Sequence, residues 1–115
     1  MNKEIVFSVK GNNYKIQFPN IGQFQTIESL KQVLSKGMYS ALMSTGTLAA
    51  NSALDMIDIE SHLTVVCPEL VKDLKCERFS DLGLEDYLEL KKEYMTQFVP
   101  WWNDIMLLIS PMVKK

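Results

Sequence analysis

One stretch of this sequence keeps a period of two, and the rest does not. Ile5, Phe7 and Val9 alternate with Val6, Ser8 and Lys10, and Tyr14, Ile16 and Phe18 alternate with Lys15 and Gln17. Successive strand residues face opposite sides, so each run carries one apolar face. Gly11-Asn12-Asn13 separates the runs, and these residue types tolerate the positive φ of a tight turn. Residues 4–18 are therefore expected to form a β-hairpin, ended by Pro19, which has no N–H for a ladder. A two-stranded ribbon is marginal by itself. The remainder of the chain must cover its apolar face.

From Asn20 onward the period is helical. Asn20 with Gln23 three positions on suits a capping box, and Ile21, Phe24, Ile27, Leu30 and Leu34 form a stripe that stops at Lys36-Gly37. A short stripe through Met38, Leu42 and Met43 breaks at Gly46, after which Thr47 restarts a helix. That helix carries Leu48, Leu54, Ile57, Ile59, Leu63 and Val66 to Cys67, and Pro68 suits the first turn of a further short helix with Leu70, Val71 and Leu74 inward. Residues 75–83 have no clean period and read as a loop anchored by Phe79. Leu84, Tyr87, Leu88, Lys91, Tyr94, Met95 and Phe98 return to a helical stripe that continues beyond Pro100, with a bend expected near Val99 because proline lacks the donor. The expected fold is α+β and mainly α: a small helical bundle over residues 20–111 packed on the N-terminal ribbon.

With 115 residues, 47% hydrophobic and 23% charged, the chain is expected to fold as one domain spanning 1–115. A net charge of -2 supplies no basic field for a phosphate backbone, so nucleic acid is not expected as a partner. Val99 to Val113 is the most apolar stretch, but it is interrupted by Pro100, Asn103, Asp104, Ser110 and Pro111, so no membrane span is expected. Cys67 and Cys76 form no CxxC pair and are read as reduced thiols. With His62 they would give a zinc ion only three ligands at an unfamiliar spacing, so neither a metal nor a cofactor is expected.

Asp55, Asp58 and His62 can share one side of a helix, as half of an acid/base or metal site would. Their interleaving with Leu54, Ile57 and Leu63 instead reads as a wet helix face. No paired nucleophile and base, glycine-rich phosphate loop, GxSxG or HExxH is found, so the chain reads as non-enzymatic. The methionines Met38, Met43, Met56, Met95, Met106 and Met112 could furnish an adaptable surface, although filling a core is their more usual use. Trp101 and Trp102 are neighbours, offset by about 100° on a helix, so only one ring is expected to point into the core and the other to stand partly exposed as a binding residue. Val6 and Ser8 are the other protein-interaction candidates, on the expectation that the hairpin associates through its edges and that proline at either position would remove ladder donors.

The opening EIVFSVKGNNYKIQF, a hairpin running through a polar turn into an amphipathic helix, resembles the start of small bacteriophage tail-assembly chaperones, and the acidic helical remainder is similar in size and layout. The resemblance is one of architecture and brings no site residues with it. It implies a phage protein that binds the tape-measure protein or another tail component before the tail tube assembles; a homo-oligomer is expected from the hairpin's unpaired edges, and the host cytoplasm from the reduced thiols. The Trp-rich C-terminal segment departs from that pattern and leaves open a minor structural protein of the virion, whether head, connector or tail subunit. A small adaptor unrelated to phages is the remaining alternative.

Overall fold

The computed structural model describes residues 3–74 and 79–109, and these are mostly helical with an N-terminal antiparallel hairpin. The chain forms two compact units. Residues 1–18 and 83–115 make the first, and residues 19–82 the second.

In the first unit β1 (Glu4–Val9) pairs with β2 (Asn12–Gln17), with Phe7 opposite Tyr14 and Ile5 opposite Ile16. The turn is Lys10-Gly11, with φ of 52° and 79°, one residue earlier than the Gly11-Asn12-Asn13 run suggests. Parity explains the difference. Residues directly opposite one another share a face, and the inward residues are odd on β1 and even on β2, so the loop must hold an even number of residues. Two residues with positive φ make the type I′ turn whose twist suits the strands. Asn12 and Asn13 consequently lie within β2. Phe7, Val9, Tyr14 and Ile16 are buried, whereas Phe18 lies past the end of β2 and is exposed. The hairpin packs on α5 (Leu84–Glu93) and on the π turn Tyr94–Phe98 that follows it, and α6 (Val99–Ile109) continues the same helical rod.

The disruption expected at Pro100 takes the form of that π turn. Pro100 has no N–H with which to bond one turn back, and the wider turn lies just upstream, with the Val99 N–H bonded to the carbonyl of Tyr94 five residues earlier.

The second unit is helical: α1 (Ile21–Leu34), α2 (Tyr39–Thr45), α3 (Leu48–Val66), α4 (Pro68–Asp73) and a 3-10 turn at Phe79–Asp81. Ile27, Ile59, Leu63, Cys67, Leu70 and Phe79 are buried here, with α1, α2, α4 and the 3-10 turn all packed on α3. The caps follow the sequence. Asn20 Oδ1 accepts from the Gln23 N–H at 2.8 Å while Gln23 Oε1 accepts from the Asn20 N–H at 3.0 Å, and Thr47 Oγ1 accepts from the Ala50 N–H at 3.1 Å. Two residues at helix starts depart from expectation: Ile21 and Leu48 sit in first turns and are exposed.

α1 ends in a Schellman arrangement. The Gly37 N–H bonds to the Gln32 carbonyl at 2.8 Å and the Lys36 N–H to that of Val33 at 3.2 Å. Lys36 occupies the left-handed position with φ of 55°, where a Cβ costs about 1–2 kcal/mol that glycine avoids. Lys36→Gly is expected to raise stability by about 1 kcal/mol in denaturant unfolding. Asn20→Ala, which removes the cap at the other end of α1, is expected to lower it by about as much.

Candidate functional site

Trp101 and Trp102 are both buried, each 5% exposed, so the expectation that one ring faces solvent is corrected. Phe98 supplies the reason. The two tryptophans lie three and four positions after it and straddle the centre of the buried stripe Leu90, Tyr94, Phe98 and Ile105 rather than competing for it. Phe98 stacks on Tyr94 at 5.0 Å between ring centroids and on Trp102 at 5.5 Å, and it meets Trp101 edge-on at 5.8 Å. The indoles belong to an aromatic column inside the first unit.

Val6 and Ser8 stand on the other face of β1 and are exposed. The four interaction candidates therefore do not form one surface. In a hairpin closed by two residues, Val9 and Asn12 make a hydrogen-bonded pair, so the N–H groups of Val6 and Ser8 point away from the β1–β2 ladder. Proline at either position would leave that ladder's donors in place, which corrects the sequence expectation. The Ser8 N–H is given to Glu93 Oε2 at 2.8 Å and its hydroxyl to Asn13 Oδ1 at 2.6 Å.

The side of α3 that carries Asp55, Asp58 and His62 is not the wet face its spacing suggests. His62 is only 3% exposed and Asp58 is half-buried, because α1 and α2 both pack on α3. The Tyr39 hydroxyl of α2 donates to Asp58 Oδ1 at 2.6 Å. Lys31 of α1, itself buried, pairs with Glu28 at 3.0 Å and holds its ammonium 5.5 Å from the Tyr39 ring centroid. Sequence reasoning missed Lys31 and Tyr39. The available signal was that a tyrosine opening a helix brings a ring to bury and a hydroxyl that then needs a partner.

Burial dominates the electrostatics of this cluster. It raises the Asp58 carboxyl from its ordinary value, against the Tyr39 hydrogen bond and the Lys31 charge, which lower it. It raises the Tyr39 hydroxyl as well, with the hydrogen bond to Asp58 and the charges of Asp58 and Glu28 adding to the effect. His62 is pushed down to about 3 by burial and by the Lys31 charge, with a hydrogen bond to the Asp58 backbone opposing them. At neutral pH the imidazole is uncharged and the phenol holds its proton. The arrangement is suited to fixing α2 against α3.

Cys67 is buried, and burial with the nearby Glu69 charge pushes its thiol up to about 11, so it carries little thiolate at neutral pH. Cys76 lies outside the described residues. Among the described residues no helix is long and apolar enough to cross a membrane.

The methionines correct another expectation. Met38, Met43, Met56 and Met95 are exposed and Met106 is half-buried, so the first four do not fill a core, and Met112 lies outside the described residues. Leu84 and Leu88, one turn apart on α5, are exposed, as is Met95 in the π turn. Comparison with protein-family models, curated proteins and solved structures gives no match.

Trp101→Ala and Trp102→Ala are each expected to cost about 3–5 kcal/mol of stability, read from urea midpoints, because each removes a buried indole and leaves a cavity beside Phe98. The His62 contribution has a defined pH window. Its value in the folded chain lies below its ordinary 6.5, so the unfolded chain takes up the proton first, and stability present above pH 6.5 is lost as the pH falls toward 3. The stability of the native protein relative to His62→Gln should therefore decline by up to about 1.4 kcal/mol per pH unit across that window.

Proposed function

We propose that this chain is a non-enzymatic bacteriophage morphogenesis protein, a tail-assembly chaperone that binds the tape-measure protein or another tail component before the tail forms. The observation that supports this reading is the number of large apolar side chains left in water. Leu84 and Leu88 on α5 are 72% and 54% exposed, and Met38, Met43, Leu48 and Met56 are exposed in the second unit. Apolar side chains presented in this way suit contact with another protein, and flexible thioethers can repack against an extended, poorly ordered client. The hairpin that leads into a capped amphipathic helix is the layout on which the resemblance rests.

A chaperone acts in the host cytoplasm and leaves the finished product. Mass spectrometry should find the chain in infected-cell extracts and not in purified particles. A fixed copy number in particles would overturn the proposal and assign the chain to the virion. Leu84→Lys with Leu88→Lys should reduce co-purification of the client at least tenfold from the same extracts, with the unfolding midpoint little changed because both side chains are more than half exposed.

A further inference from the structure

β1 presents an outer edge that carries the backbone N–H groups of Glu4, Val6 and Ser8, and the N–H of the turn residue Lys10 continues it. Such an edge is a template on which another chain can add a strand. Here two of its donors are already taken by side chains of α5. The Ser8 N–H bonds to Glu93 Oε2 at 2.8 Å and the Lys10 N–H to Glu89 Oε2 at 2.9 Å. Glu89 and Glu93 are one helical turn apart, which matches the spacing of alternate strand residues closely enough for both carboxylates to reach the edge. Asp86, on the same side of α5, pairs with Lys10 Nζ at 2.9 Å. These bonds join positions 79 and 85 residues apart in sequence, so local chain geometry does not impose them.

We propose that Glu89 and Glu93 are an autoinhibitory guard on the β1 edge, and that the strand they exclude is β1 of a second copy of this chain. The sequence of β1 argues for the second copy. EIVFSV is rich in β-branched and aromatic residues and has neither proline nor glycine, which is the composition of self-pairing segments. Antiparallel pairing centred on Val6 would set Val6 against Val6 and Glu4 against Ser8 of the other copy, with no like charges opposed. It would also place Ile5 beside Phe7 of the other copy and so extend one apolar face across four strands. With the Glu93 carboxylate in place, Ser8 cannot give its N–H to Glu4 of the incoming strand, and Glu89 holds the adjoining turn at Lys10 against α5.

The test is the self-association of purified variants by sedimentation, with amide exchange read by NMR. Glu89→Ala with Glu93→Ala should tighten dimerisation at least tenfold relative to the native chain. At dilutions where the variant is monomeric, the amides of Ser8 and Lys10 should exchange at least tenfold faster. Glu89→Gln with Glu93→Gln keeps a carbonyl acceptor at each position and should stay near native behaviour. Asp86→Ala removes one negative charge from the same side of α5, as each single glutamate variant does, without freeing a backbone donor and should also stay near native. Unchanged association and exchange in a folded double alanine variant would overturn the proposal, as would an equal tightening in Asp86→Ala, which would assign the effect to charge. If the double variant does not fold, Glu89→Ala and Glu93→Ala separately carry the same readouts, each freeing one donor, and native behaviour in both overturns the guard.

Discussion

A ribbon of two strands has one apolar face and no third strand to lean on, and the first unit is organised by the need to cover that face. Phe7, Val9, Tyr14 and Ile16 all point the same way, and the elements that pack on them come from the far end of the chain. The covering rod is one long apolar stripe from Leu90 to Ile105, kept continuous by four aromatic rings. Its π turn lies just upstream of Pro100. The wider turn leaves a proline compatible with an otherwise unbroken helix, and the rings of Phe98, Trp101 and Trp102 still meet.

Much of this is legible in the sequence, and the errors have physical causes. The hairpin, the Asn20 capping box, the Thr47 restart and Pro68 in a first turn are local features, set by residues within a few positions of one another, and each stands where the sequence puts it. The turn is misplaced when residue type is weighed ahead of parity, although the alternation of both runs already requires an even loop. The tryptophans are misjudged when they are compared only with each other. Their relation to Phe98, three and four positions earlier, places both on the buried side.

The second unit fails differently. Whether Asp58 and His62 are wet depends on Lys31 and Tyr39, which come from other helices, and no periodicity within α3 can report what packs over it. α2 buries none of its own residues completely, yet its Tyr39 hydroxyl reaches a carboxyl group whose charged form burial disfavours. Removing the phenol would leave Asp58 half-buried without that donor, and an unmatched buried polar group costs more than a matched pair contributes. The pair therefore matters more for where α2 sits than for net stability.

Exposed polar and exposed apolar groups are treated in opposite senses, and the first unit alone shows both. On β1, carboxylates from α5 cover backbone donors that a strand could use, which costs side-chain freedom and keeps an adhesive edge occupied. On the outer side of α5, and on α2 and α3, leucine and methionine side chains are left in water although each would gain by burial. Indiscriminate stickiness would not need the first device, and a simply inert surface would not carry the second. Under the function proposed above, covered strand donors beside exposed apolar helical faces would favour partners that dock on helices over partners that extend the sheet, which suits holding a client without nucleating strand stacking.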